Sequence, residues 1–161
     1  MKLTAYTDYS LRVLMYLAAQ PGRRATIAEI CTAFGIKENH LSKVVHDLAK
    51  KRWIDTARGK GGGMSLAVPA EEIRVGDVVR HAEGDAVPAE CFSPGPSNCP
   101  IVVCCQLRGA LASAVDAFYE VLDAYTVADI TRNRKALWSV LQVSRPKRRG
   151  GVPAGRGTSR S

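Results

Sequence analysis

The sequence predicts a mainly α-helical protein with a small β wing: a winged helix-turn-helix followed by a long C-terminal dimerisation helix. Three observations predict this fold class. Apolar side chains recur at helical spacing in three segments between residues 8 and 51. Two β-like runs then flank a basic, glycine-rich turn at residues 58–63. A last helical stripe of apolar residues extends from 107 to 125.

The composition suits one compact domain with an appended tail, in a chain of 161 residues that is 46% hydrophobic. Its 23 Lys and Arg against 15 Asp and Glu give a formal charge of +8, which favours a polyanionic partner, nucleic acid before an anionic membrane. Neither a signal-peptide core nor an apolar run of about 18 residues is present. We therefore expect a cytoplasmic protein with no membrane partner.

The first three helical segments have the order and spacing of a helix-turn-helix. Thr7 is expected to cap a first helix that begins at Asp8 and ends before Pro21. Thr26, with Glu29 three residues later as in a capping box, opens the second. A tight turn at Gly35 leads into a third segment over 37–51, the helix that would enter the major groove of double-stranded DNA.

The third segment carries a polar face rich in hydrogen-bonding groups, which we expect at base edges or nearby phosphates. Its candidate DNA-binding residues are Lys37, Asn39, His40, Ser42, Lys43 and His46. The β-like runs 52–56 and 64–68 predict the wing that follows. On the turn between them, Arg58 and Lys60 are expected to contact phosphates or a minor groove.

The second half of the chain predicts a helix at 73–79, a cysteine-bearing loop and a helix of about five turns. Its apolar stripe is a candidate homodimer seam; the alternative is that it packs only on its own winged domain. We divide the chain into a DNA-binding domain (1–80), a loop (81–105), a dimerisation helix region (106–134) and a C-terminal segment (135–161). The basic tail from Ser144 is expected to be disordered, either making auxiliary phosphate contacts or only aiding solubility.

Four of the five cysteines cluster in that loop: Cys91, Cys99, Cys104 and Cys105. Cys31 falls on the apolar face of the second helix and is expected in the core. Clustered thiols in a reducing compartment favour metal or redox chemistry over disulfides. The loop has no Cys-x2-Cys knuckle, which disfavours zinc, and its wide, proline-rich spacing suits an iron–sulfur core. A structural zinc ion, a thiol oxidoreductase using the adjacent cysteines and a loop without a cofactor stay open.

Several motifs in combination resemble the NsrR-type nitric-oxide-sensing repressors. The resemblance covers about residues 1 to 134 and rests on these segments: Leu3 to Leu14, Lys37 to Leu48, Glu90-Cys91-Phe92, Cys99-Pro100 and Cys105-Gln106-Leu107-Arg108-Gly109.

The resemblance implies a homodimeric repressor, not an enzyme, with a [4Fe–4S] cluster in each subunit and [2Fe–2S] as the alternative. Carried over, the ligands are Cys91, Cys99 and Cys105, with Asp8 reaching from the partner subunit. Nitric oxide would attack the cluster and release the operator DNA. Cys104 competes with Cys105 for the third position; the resemblance favours Cys105 and leaves Cys104 as a small buried residue.

A related regulator that senses iron or cluster supply is the main alternative signal. IscR-like proteins of the same superfamily carry a His three residues after the last Cys, and this chain has Arg108 there. The difference weighs against an IscR-like function.

Overall fold

The computed structural model describes residues 3–59, 61–84 and 87–143; Lys60 and the tail from Ser144 lie outside them. Its helices are α1 (Ala5–Ala18), α2 (Ile27–Phe34), α3 (Glu38–Lys50), α4 (Val75–Glu83), α5 (Gln106–Asp123), α6 (Val127–Ile130) and α7 (Arg134–Val143). Two strands, β1 (Ile54–Ala57) and β2 (Gly63–Leu66), and short 3₁₀ helices at Ala70–Glu72 and Glu90–Phe92 complete it. The predicted fold class, mainly α with a small β wing, is confirmed.

The first helix begins earlier than the sequence predicts. Thr4, not Thr7, is the N-cap: its hydroxyl accepts from the backbone N–H of Thr7 at 3.2 Å. The prediction was wrong because two threonines three residues apart can both cap a helix, and local sequence does not choose between them. Thr7 is fully buried instead, and its hydroxyl donates to Glu83 of α4.

The helix-turn-helix forms as predicted around an apolar core. The capping box of Thr26 and Glu29 is present, and Gly35 ends α2 at φ +66°, a conformation that glycine adopts without strain. The core is built mainly from α1 to α4, with single residues added by the wing, α6 and α7, and it includes Leu14, Ile30, Leu41, Val44, Leu48 and Val78. Cys31 is buried among them, as expected, and burial raises the pKa of its thiol.

The wing is an antiparallel hairpin attached to the helix-turn-helix. The register pairs Ile54 with Leu66 and Ala57 with Gly63. Ala25, just before α2, bridges Met64 through bonds of 2.7 and 2.8 Å. The Arg24 guanidinium also donates to Asp55 at 2.5 Å and to the Gly63 carbonyl at 3.2 Å. These contacts orient the wing relative to α2.

Two of the C-terminal helices pack against different parts of the N-terminal half. α5 lies against α4, where Arg80 donates to both carboxylate oxygens of Asp123 at 2.7 and 2.5 Å. α7 returns to the N-terminal domain: the Trp138 ring stands edge-on to Tyr16 at 5.5 Å, and Leu141 is buried. Within the described residues, no helix combines the length and apolar character needed to cross a bilayer.

Candidate functional site

The outer face of α3 presents the predicted DNA-binding side chains to solvent. Its buried residues, Leu41, Val44, Val45 and Leu48, hold the opposite face in the core. The six candidates on and beside α3 are all exposed: Lys37, Asn39, His40, Ser42, Lys43 and His46. An exposed polar face on the second helix of a helix-turn-helix is the arrangement that meets base edges.

A groove runs between α3 and the wing and brings the two predicted contact regions together. Ser42 and His46 line it from α3, and Thr56 and Arg58 line it from the wing. The Ser42 hydroxyl donates to the Glu38 carbonyl at 2.8 Å, so its lone pairs remain to accept from a base amino group. The His40 ring stacks on Tyr9 of α1, with centroids 6.5 Å apart.

The cysteine loop connects α4 to α5 and carries three partly buried thiols. Cys91 lies in the 3₁₀ helix Glu90–Phe92, Cys99 in a turn whose carbonyl accepts from Val102 N–H at 3.2 Å, and Cys105 at the N-cap of α5. Arg108 in the first turn of α5 lies over the Phe92 ring at 5.7 Å. This contact brings the segment that holds Cys91 next to the helix end that holds Cys105.

Cys104 differs from its neighbour. Its thiol is exposed and donates to the Ile101 carbonyl at 3.5 Å, whereas Cys105 is partly buried. The expectation that Cys104 is a small buried residue was wrong, because it lies in the turn before α5 and not in the helix. The last cysteine of the loop is therefore the more shielded of the adjacent pair.

The donor chemistry fits an iron–sulfur core, although the described residues of one subunit do not bring a full set of ligands together. Three half-buried thiols on an irregular loop are the ligand type that such cores take. Within residues 3–59, 61–84 and 87–143, no three His, Cys, Asp or Glu side chains are grouped so that they could hold a metal ion.

Asp8 lies in the first turn of α1 with its side chain 46% exposed. Its two carboxylate oxygens each accept from Arg12 at 2.9 Å. The Arg12 guanidinium also lies over the Phe34 ring at 5.6 Å. Asp8 is thus held by its own helix while its carboxylate remains accessible from outside the subunit.

Glu83 joins the start of the cysteine loop to the start of α1, a role that sequence reasoning missed. Its carboxylate accepts from the Thr4 N–H at 2.8 Å, from the Thr4 hydroxyl at 3.1 Å and from the Thr7 hydroxyl. Burial alone would raise the pKa of Glu83, but these hydrogen bonds outweigh it and lower the pKa. The loop therefore begins one residue past a fixed attachment to the helix that carries Asp8.

Comparison with known proteins matches residues 3–133 to the Rrf2 family, described as an iron-dependent transcriptional regulator. The HTH-type transcriptional regulator NsrR of Geobacillus kaustophilus is 45% identical over 146 residues, 90% of this chain and 99% of the relative. The NsrR of Bacillus subtilis is 42% identical over 144 residues, 89% and 99% of the two chains.

Solved structures share the fold. CymR, the global cysteine regulator of B. subtilis, superimposes with a TM-score of 0.68 at 25% identity, covering 83% of this chain and 98% of that one. T. potens IscR gives a TM-score of 0.67 at 23% identity, covering 83% and 88%.

Proposed function

This chain belongs to the Rrf2 family of transcriptional regulators, and from that premise we propose that it is a homodimeric repressor that senses nitric oxide through an iron–sulfur cluster. It is a DNA-binding regulator and not an enzyme, as its relatives are named. The observation that carries the proposal is the loop between α4 and α5, which holds three partly buried thiols and begins just after Glu83, a residue bonded to the helix that carries the half-exposed Asp8. A cytoplasmic location is part of the proposal.

The residues that would hold the cluster are Cys91, Cys99 and Cys105 of one subunit and Asp8 of the other. A [4Fe–4S] core is proposed, with [2Fe–2S] as the alternative; when bound, it supplies iron sites at which nitric oxide reacts. Carboxylate oxygen is a harder, less tightly held ligand than thiolate. The Asp8 position would therefore be the ligand position most open to nitric oxide. A released Asp8 carboxylate would pair with Arg12 again, as it does in this subunit.

The dimer in this proposal forms through α5. None of the 18 residues of α5 is buried in one subunit, although the helix carries an apolar stripe. Leu107 is 65% and Val121 60% exposed. An apolar face of this length calls for a covering surface, and a second copy of α5 would supply it.

The DNA interface is proposed to use the polar face of α3 and the turn of the wing. The residues assigned to it are Lys37, Asn39, His40, Ser42, Lys43, His46, Arg58 and Lys60. In a dimer, two α3 helices would reach half-sites about one turn of DNA apart. We assign DNA binding to residues 1–80, the cluster to 81–105 and dimerisation to 106–134; in the C-terminal segment 135–161, auxiliary phosphate contacts are assigned to the basic tail from Ser144.

We propose that the attachment of the cysteine loop to α1 links the state of the cluster to DNA binding. Ligation would fix residues 91–105 against the partner's α1, and Glu83 would pass that constraint to its own α1. Loss of ligation would free the loop and change the position of α3 relative to its copy. Repression would thus require the intact cluster, and nitric oxide would release the operator.

Anaerobic purification followed by an absorption spectrum and operator binding with and without nitric oxide tests the function. We expect a coloured dimer that binds operator DNA and leaves it when nitric oxide is added. A colourless protein that contains zinc and still binds the operator would overturn it.

The second candidate is sensing of iron or cluster supply, favoured by the description of the family as iron-dependent. The same experiment distinguishes the two candidates. A cluster-loaded protein that stays on its operator in excess nitric oxide, but leaves it after iron chelation, senses iron or cluster supply.

A further inference from the structure

A three-residue polar junction lies behind α3 and connects it to α1 and α4. The Tyr6 hydroxyl donates to Oδ2 of Asp47 at 3.0 Å, and Nε2 of His81 lies 2.7 Å from the same oxygen. All three side chains are partly buried. One carboxylate oxygen on α3 is thus held from two directions by two different helices.

The elements that meet at this junction are those that would carry the signal. Tyr6 precedes Asp8 by two residues on α1, and His81 precedes Glu83 by two residues on α4. The His81 ring also stands edge-on to Trp53 at 5.5 Å, just before the first strand of the wing. Both α1, which carries Asp8, and α4, which leads into the cysteine loop, therefore contact α3, and α4 also contacts the residue that precedes the wing.

Besides the apolar face that packs in the core, α3 is held by polar and aromatic contacts of this kind. α1 touches α3 at His40, through Tyr9, and at Asp47, through Tyr6, about two helical turns apart. His81 adds a contact from α4 at the Asp47 position. A displacement of the end of α4 would therefore act directly on Asp47 of α3.

We propose that His81 is a positioning residue that transmits the state of the cysteine loop to α3 through the carboxylate of Asp47. The inference rests on the proposed function, because it needs a loop whose state changes. It goes further in assigning the coupling to one hydrogen-bonded pair, His81 and Asp47, which takes no part in binding the cluster or DNA.

The test compares operator affinity between the cluster-loaded and the cluster-free dimer, since coupling is the ratio of the two dissociation constants. His81→Phe keeps a ring against Trp53 and removes the hydrogen bond. We expect it to lower the ratio about fivefold or more while the cluster spectrum stays unchanged. His81→Gln, which retains a donor, should keep a ratio within about twofold of the wild type, a change of roughly 0.4 kcal/mol.

The matched control is Arg132→Gln, which breaks an exposed ion pair with Asp129 on the far C-terminal side of the chain. It should leave the ratio unchanged. A purely structural role for His81 would lower the affinity of both states equally and preserve the ratio. If His81→Phe does not fold, Asp47→Asn removes the charge at the same junction with little change in shape, and it should lower the ratio in the same way.

A wild-type ratio in His81→Phe, or an equal loss in Arg132→Gln, overturns the inference and leaves the proposed function intact. A wild-type protein that responds to cluster removal but not to nitric oxide overturns the nitric-oxide signal alone, and the junction is still judged by the variants. A wild-type protein whose affinity is the same with and without the cluster overturns both.

Discussion

At the scale of single residues, two adjacent cysteines occupy different environments. Cys105 is partly buried at the N-cap of α5, beside the Phe92 and Arg108 contact. Cys104 faces solvent and is bonded to a backbone carbonyl. This difference favours Cys105 as the third ligand.

Substitution of each cysteine separates the two. Cys105→Ala should abolish cluster assembly and regulated DNA binding, because it removes one of three thiolates. Cys104→Ala should retain both, with a stability loss below about 0.5 kcal/mol, as expected for an exposed side chain. Absorption spectra of the anaerobically purified variants measure this. A colourless Cys104→Ala beside a coloured Cys105→Ala would reverse the assignment.

Glu83 makes stability depend on pH. Its pKa in the folded chain lies below the usual value of 4.5, because bonds from Thr4 and Thr7 outweigh burial. A carboxyl with a depressed pKa contributes stability that is fully present above its unfolded pKa and is lost as the pH falls through the folded one. The wild-type protein should therefore begin to lose this contribution below about pH 4.5, which is the pKa of a glutamate in the unfolded chain.

Glu83→Gln should reduce the free energy of unfolding of the cluster-free chain by about 1–3 kcal/mol at pH 7, since the hydrogen bonds to a charged carboxylate become weaker bonds to a neutral amide oxygen. The difference from wild type should shrink as the pH falls below 4.5. Urea unfolding at a series of pH values measures both. Glu71→Gln, at an exposed 3₁₀ position, is the control and should differ little from wild type at any pH. A difference for Glu83→Gln that is constant with pH would contradict the prediction.

At the scale of elements, the sequence predicts those helices that carry their own boundary signals. Thr26, Glu29 and Gly35 define α2 by local chemistry alone, and the structure places its ends where they indicate. α6 and α7 were missed. α6 has a capping box of Thr126 and Asp129 but only four residues, too few to show an apolar period. The anchors of α7, Trp138 and Leu141, are recognisable only through the core residues they meet.

For the candidate site, too, local sequence indicates some residues and not others. Cysteines close in sequence, and polar residues on one helix face, can be read from spacing. Glu83 with Thr7, 76 residues apart, and His81 with Asp47, 34 apart, meet only when the fold brings α4 against α1 and α3. Nothing local marks these carboxylates as different from solvated ones.

The turn of the wing carries two basic residues, Arg58 and Lys60, that are proposed to contact phosphates. Arg58 is exposed and lines the groove beside α3. Arg58→Ala and Lys60→Ala should each weaken binding to all DNA sequences alike and reduce the slope of log affinity against log salt by about one unit, since each removes one phosphate contact. Binding measured over a range of salt concentrations tests this, with Arg132→Gln as the control. An unchanged slope would remove that residue from the interface.

At the scale of the whole molecule, the proposed function requires α5 both to support the cysteine loop and to join the two subunits. Its N-terminal end holds Cys105 and the contact of Arg108 with Phe92, and its C-terminal end is fixed to α4 by Asp123 and Arg80. The stripe between them would join two subunits. A change at the loop would therefore act at the same helix that sets the distance between the two copies of α3.

Val121→Glu tests whether this stripe is the dimer seam. A carboxylate placed in an apolar interface loses its hydration without gaining a partner, which costs several kcal/mol. We expect dimer dissociation to become about 100-fold or more easier, and operator affinity to fall because a monomer contacts one half-site only. Val140→Glu, at a valine on α7 that is 65% exposed against 60% for Val121, adds the same charge outside α5 and should remain dimeric. Sedimentation of both variants decides between a seam on α5 and an α5 that packs only on its own winged domain: a dimeric Val121→Glu with wild-type operator affinity supports the latter.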